Sequence, residues 1–238
     1  MGAERHLAHV HVLRGRGATP AADRSVSTSL VDLAASTDTP AVRVWSPPRQ
    51  VAFGRRDRNA AGYERARSAA SERGFPPVDR AVGGHAVAYT GDTLAFALAR
   101  PTDELRTGIG ARYDAAIEDL SGAIRACGVD TAEGEPPKAF CPGSYSLQAD
   151  GTLGASGKIA GLAQRVRAEV AIVAGIVIAR DADAIAAVLD PVYDALDVPF
   201  DPSSVGSVAD AGGDPDRLRE AIEDALVGDA PRSIRTVG

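Results

Sequence analysis

The stretch ASGKIAGLAQRVRAEVAIVAGIVIARD, residues 155–181, contains two extended runs, GKIAGLAQRV and AEVAIVAGIVIARD. Both are too rich in β-branched and small residues, and too short between polar breaks, for long helices, so they read as the two arms of a hairpin. In a strand Lys158, Ala160, Leu162 and Gln164 share one face. Lys158 is one of two lysines among 26 basic residues, and it stands among Gly, Ala and Ile.

Working outward, the order of the other elements sets the fold class. Residues 6–13 alternate and read as a strand, and 21–36 as a helix with Pro20 at its start. AVRVWS and QVAFG are short strands, and NAAGYERARSAASERG is an amphipathic helix closed by Gly74. Two alternating runs follow around Gly83-Gly84 and the turn Thr90-Gly91-Asp92. The helix of about 105–127 carries Tyr113, Ile117, Leu120, Ile124 and Cys127 at helical spacing, which makes Cys127 a core thiol. DTAEGEPP reads as a loop, and FCPGSYSLQADG leads to a turn at its glycine. Residues 181–198 read as a helix broken near Pro191, and a last helix ends at Gly228. Strand pairs interleaved irregularly with helices predict an α+β fold with a mixed, largely antiparallel sheet flanked by helices. The expected division is a domain over 1–200, followed by a flexible link and a C-terminal helix over 201–238, packed on the same domain.

Composition narrows the function. The 238 residues are 45% hydrophobic and 24% charged, so a core of ordinary size is expected. A formal charge of −6 argues against nucleic acid or an anionic membrane as partner. Two cysteines are too few for a disulfide framework, and no CxxC points to a metal. With no apolar run long enough to span a bilayer, and no signal-peptide pattern, the expectation is a soluble, cytoplasmic protein.

Three constellations carry possible chemistry. In RAVGGHAV, residues 80–87, the Gly pair beside Arg80 lets backbone N–H groups approach a ligand, although a tight bend with a surface arginine reads equally well. Lys158 offers a compact cation for a carbonyl or acyl phosphate, or is an edge-strand lysine that discourages aggregation. The small residues around it leave room for a ligand. Cys141, in FCPGSY, is a loop thiol with His85 as its one plausible partner, or a packed and inert residue.

In order along the chain these segments resemble the lipoate–protein ligase and octanoyltransferase family, which includes the catalytic domain of biotin ligases. VRVWSPPRQVAFGRRD is similar to the family stretch that ends in a Gly-Arg segment, here Gly54-Arg55. DRAVGGHAVAYTGD resembles a loop with two arginines and three glycines that closes over the acyl chain. Here Asp79 replaces the first arginine and His85 the third glycine, Tyr89-Thr90 replaces a His-Asp pair, and Ala174 stands where a histidine is often found. GKIAGLAQR is similar to the family's lysine motif, with the lysine at Lys158.

The resemblance implies a biotin/lipoate protein ligase catalytic-domain fold and acyl transfer to a lysine of a lipoyl-domain protein. It implies Lys158 as a catalytic residue. Arg80, Gly83, Gly84, His85, Gly54, Arg55, Gly161 and Gln164 are implied as substrate-binding, with no metal ligands among the side chains. The first reading is a lipoate–protein ligase that activates lipoate or octanoate with ATP and Mg²⁺, assisted by a separate accessory protein as in some short members. The alternative is an octanoyltransferase that needs no cofactor and holds the acyl group on Cys141. A third reading is a non-catalytic protein that binds lipoate or a lipoyl domain.

Overall fold

A computed structural model describes residues 9–80, 83–104, 107–150 and 156–238. The elements in chain order are β1 (Val10–Arg14), α1 (Pro20–Thr37), β2 (Ala41–Trp45), β3 (Gln50–Phe53), a 3₁₀ turn (Asp57–Asn59), α2 (Tyr63–Glu72), β4 (Pro77–Asp79), β5 (Val87–Tyr89), β6 (Leu94–Pro101) and α3 (Ile109–Ala126). They continue with β7 (Thr131–Glu133), β8 (Ser146–Asp150), β9 (Ser156–Arg167), β10 (Val170–Val177), α4 (Ala182–Ala195), α5 (Leu218–Val227) and β11 (Arg232–Thr236). Residues 6–8 of the expected first strand, 105–106 of the expected third helix and the expected turn at Gly151 lie outside the described residues.

The hairpin forms as its sequence predicts. β9 and β10 pair antiparallel from Val170↔Arg167 to Val177↔Ala160. Ala168 and Glu169 close it with φ of 51° and 59°. Positive φ at both turn residues matches the right-handed twist of the strands it joins. β10 then pairs along its full length with β6. The result is an eight-stranded mixed sheet in the order β11-β1-β2-β6-β10-β9-β8-β7, with a separate three-stranded sheet, β4-β3-β5. Among the described strands, pairing is parallel where β1 meets β2 and β11 in the large sheet, and where β3 meets β4 in the small one.

Each face of the large sheet has its own cover. Leu94, Phe96 and Leu98 of β6 face a core with Ile117, Leu120 and Ile124 of α3 and Ile222 and Leu226 of α5. The alternate residues Ala95, Ala97 and Ala99 face Leu30, Val31 and Ala34 of α1. Alanines on that face let α1 lie close to the sheet. Thr19 accepts a hydrogen bond from Ala22 N and Pro20 opens α1, which fixes its start. The small sheet shares a third core with α2 and α4. Cys127 is buried as expected, and burial pushes its thiol pKa up. No helix among the described residues is long and apolar enough to cross a membrane.

Besides β11, which the sequence reading did not expect, three features depart from the expectations. α4 is unbroken, with Pro191 inside it. A proline in a helix interior costs about 3 kcal/mol. Val188, Leu189, Val192 and Tyr193 around it are all at most 1% exposed, and fully burying even one large apolar side chain returns roughly 1.5–3 kcal/mol. Packing therefore outweighs the break. The segment after α4, expected to be flexible, is tied down: Val208 N donates to Ile178 O at 3.0 Å and Gly206 N to Lys158 O at 3.1 Å. Gly157 of β9 permits the close approach, since a Cβ there would meet Gly206 N at 2.6 Å. Finally, DTAEGEPP is not all loop, because Thr131–Glu133 pairs with β8.

Candidate active site

Lys158 is not on an edge. β9 lies between β10 and β8, and where β10 ends Val205 takes its place beside Lys158. The β8 register slips at Leu147/Gln148, so Ile159 is an extra residue on β9 and the expected strand alternation is broken there. The lysine is 1% exposed. Its Nζ donates to Glu135 Oε2 at 2.7 Å, to Phe140 O at 3.1 Å and to Cys141 O at 3.0 Å. An ammonium has three protons, and all three have acceptors. Gly161 makes space for this, because a Cβ there would lie 3.2 Å from Lys158 Cε. The small residues thus accommodate the lysine's own side chain.

Glu135 organises the other side. Its Oε2 also accepts from Ser146 Oγ at 2.9 Å, and its Oε1 from Gly143 N at 3.1 Å. The loop carrying Cys141 is therefore held from within by Glu135 and from beneath by Lys158. A third restraint comes from Tyr193 on α4, whose hydroxyl accepts from Cys141 N at 2.6 Å and donates to Ala86 O at 3.0 Å. Burial pushes the Tyr193 hydroxyl well above its ordinary pKa, so it stays protonated. Cys141 is half-buried and has φ of 41°, in the left-handed region, directly before Pro142. Such a conformation costs on the order of 1–3 kcal/mol in a non-glycine residue and persists only where the surroundings impose it.

The thiol faces the glycine loop. Arg80 Nη2 lies 3.3 Å from Cys141 Sγ and donates to His85 O at 2.6 Å. Burial works against the Arg80 charge, but the Cys141 sulfur and the Tyr89 oxygen nearby outweigh it and hold the guanidinium protonated. Gly84 has φ of +81°, and a Cβ there would meet Cys141 Sγ at 2.8 Å. Gly54 is equally constrained, since its Cβ would fall 1.9 Å from Gly84 O. His85 Nδ1 lies 2.8 Å from Asp57 Oδ1, and Asp57 Oδ2 accepts from Gly54 N at 2.8 Å.

Of the residues singled out in the sequence, Arg80, Gly84, His85, Gly54, Cys141, Lys158 and Gly161 come together around the thiol. Three do not join that cluster. Gly83 is exposed with open space beside it, and Arg55 is exposed. Gln164 is engaged at the start of α3, where its side chain accepts from Arg112 Nε at 3.0 Å and donates to Ile109 O at 2.7 Å. Sequence reading missed Glu135, Tyr193 and Asp57. Glu135 lay in a stretch taken for loop, and Tyr193 followed a proline taken for a break. Asp57 alone had a signal, as one acid amid the arginines of GRRDR.

Comparison with known proteins fits this architecture. The model of the lipoyl protein ligase A/B catalytic domain matches residues 20–226. An octanoyl-GcvH:protein N-octanoyltransferase of Geobacillus kaustophilus is 30% identical over 132 residues, covering 55% of this chain and 45% of that protein. One of an Exiguobacterium species is 28% identical over 179 residues, covering 73% and 60%. The chain thus spans about half the length of these relatives. A lipoate-protein ligase A crystallised with ATP superposes with a TM-score of 0.70 at 19% identity, over 97% of this chain and 90% of that one. A Thermoplasma acidophilum protein described as a putative lipoate protein ligase, with bound lipoic acid, gives 0.70 at 18% identity over 97% and 89%. At those identities the two structures speak for the fold.

Proposed function

The chain belongs to the lipoyl protein ligase A/B catalytic-domain family, and we propose that within it the protein is a cysteine-dependent acyltransferase. It takes a medium-chain acyl group, octanoyl in the first instance, onto Cys141 as a thioester. It then passes that group to the ε-amine of a lysine on a lipoyl-type acceptor protein in the cytoplasm. One observation carries the reading. All three Lys158 protons are spent, two of them on the carbonyls of Phe140 and Cys141, so the lysine shapes the loop while the thiol faces the glycine loop beside Arg80.

The residues divide the work accordingly. The Cys141 thiolate attacks the acyl carbonyl carbon and the bond to the donor breaks; the acceptor amine then attacks the thioester and the thiolate leaves. Arg80 gives the thiolate a counter-charge through Nη2. Its Nε, buried and without a partner among the described residues, is the donor left for the acyl oxygen as charge builds there. Glu135, Lys158 and Tyr193 hold the loop so that the sulfur needs no rearrangement before attack. The two octanoyltransferase relatives agree with this reading.

An ATP-dependent ligase is a poorer fit. For Lys158 to hold an acyl phosphate, its Nζ would have to leave the Glu135 carboxylate and two carbonyls. The test offers two donors to one lipoyl domain: octanoyl acyl carrier protein without ATP, or octanoate with ATP and Mg²⁺. The proposal expects product from the first, an octanoylated protein in the intact mass spectrum, and loss of both in Cys141→Ser. Product that requires ATP and forms unchanged in Cys141→Ser would replace it with the ligase reading. Binding of the lipoyl domain without product from either donor would leave a non-catalytic protein.

A further inference from the structure

Acyl transfer through a thiol needs a proton carrier. The thiol must lose its proton, the departing group must gain one, and the acceptor amine must lose one as it attacks. Lys158 is unsuited, being a cation with every proton bound to an acceptor, one of them the Glu135 carboxylate. Tyr193 donates to Ala86 O and is held protonated by burial. Arg80 keeps its charge.

His85 is arranged differently. Its Nδ1 faces Asp57 Oδ1 at 2.8 Å, and a carboxylate only accepts, so Nδ1 is the donor to Asp57 and Nε2 is the ring nitrogen left for other work. Asp57 is 1% exposed, and its second oxygen is taken by Gly54 N, so it has no freedom to turn. The His85 side chain keeps 17% exposure, which leaves the ring open to a substrate. Two links join it to the thiol. The Arg80 nitrogen that touches Cys141 Sγ also holds the His85 carbonyl. The His85 ring also lies 6.2 Å, centroid to centroid, from the Tyr193 ring, whose hydroxyl holds Cys141 N.

We propose that His85 is the proton carrier of both half-reactions and that Asp57 is its positioning residue. This rests on the reading of Cys141 as acyl carrier. In the first half-reaction Nε2 takes the Cys141 thiol proton through an intervening water. The S–C bond forms, the bond from the acyl carbon to the donor breaks, and the imidazolium returns the proton to the departing group. In the second, the acceptor amine attacks, Nε2 takes a proton from its nitrogen, the S–C bond breaks, and that proton goes to the sulfur. No oxidant, reductant or nucleotide enters the balance. The arrangement of nucleophile, imidazole and buried carboxylate follows the general logic of an activated nucleophile. The resemblance to the family places a glycine at this position, so the carrier is this chain's own.

The groups recorded against the His85 ring are Asp57 from the turn after β3 and Tyr193 from α4, while Arg80 after β4 binds its backbone carbonyl and reaches Cys141. The test uses p-nitrophenyl octanoate as an activated probe and follows the burst of nitrophenolate against pH. His85→Gln should slow acylation at neutral pH by roughly 10²- to 10⁴-fold and shift the rise of the rate to alkaline pH, where hydroxide takes over the imidazole's task. His85→Gly should regain rate with added imidazole, and Asp57→Asn should slow the burst without changing its amplitude. A His85→Gln burst with the wild-type pH profile, or a loss that neither alkaline pH nor imidazole repairs, would overturn the inference while Cys141 keeps its role. A full burst in Cys141→Ser would overturn the role of Cys141 itself, and the inference with it.

Discussion

Replacing Lys158 by methionine keeps an unbranched side chain one atom shorter and removes its three donors. The substitution strands the Glu135 carboxylate and two loop carbonyls. Breaking a buried ion pair by deleting one partner costs about 3–5 kcal/mol. Glu135 keeps its bonds to Gly143 N and Ser146 Oγ, and its side chain is 19% exposed, so the lower end applies. For a domain of this size each kcal/mol moves the thermal midpoint by roughly 2–4 °C. A 3 kcal/mol loss thus lowers it by roughly 6–12 °C. The loosened loop should also slow acylation of Cys141, by on the order of 10²-fold for a displacement near 1 Å. Adding Glu135→Gln removes the stranded charge, so the double variant should be more stable than the sum of the two losses, with a coupling of roughly 0.5–3 kcal/mol. Circular dichroism melts of the four proteins, paired with the nitrophenolate burst, give both quantities. A Lys158→Met protein that melts like wild type yet fails to acylate would refute the reasoning, because the lysine would then act on substrate.

The other expectations test separate parts of the molecule. Gly84→Ala forces a Cβ to within 2.8 Å of Cys141 Sγ at a φ of +81°; it should cost roughly 1–2 kcal/mol in a denaturant titration and slow iodoacetamide capture of Cys141. In native protein iodoacetamide should label Cys141 and spare the buried Cys127, which should become reactive only in denaturant; equal labelling of both would contradict the described core. His11 is buried, and burial, then His9 and Arg235, lower its pKa below the ordinary 6.5. The unfolded chain therefore binds more protons just below that value, so stability present above pH 6.5 is lost as pH falls towards the folded pKa. His11→Phe should flatten this acid-side slope of the denaturant midpoint, and an unchanged slope would remove His11 as its source.

Where local pattern decided structure, the sequence was enough. The apolar runs of β9 and β10, the stripe on α3 and the Pro20 start of α1 each appear as read. Arg80, Gly84, Cys141 and Lys158 could be named as site candidates, but local pattern left a bland reading open for each, and it was the family resemblance that singled them out. What escaped depended on distant partners. Nothing local says that Glu135 will meet a lysine 23 residues later, or that Tyr193 will reach a loop 52 residues earlier. Pro191 misled because its cost is local while the burial that overrides it is tertiary. β11, with the sequence RSIRT, is mostly exposed and has no apolar face to announce it.

The backbone of Lys158 bridges two such distances as well. Its carbonyl receives Gly206 N, and its strand neighbours are Gln148 on one side and Val205 on the other. A residue with obligations to positions 135, 141, 148 and 206 cannot meet them until several long loops have closed, and such closures are the slow events of folding. The thiol site is thus a product of tertiary closure, complete only when the Glu135 loop and the segment at Gly206 have both closed on β9. Cys141 would be held in its left-handed conformation only in chains that have finished folding, so a refolding experiment that follows acylation alongside circular dichroism would see reactivity lag behind secondary structure.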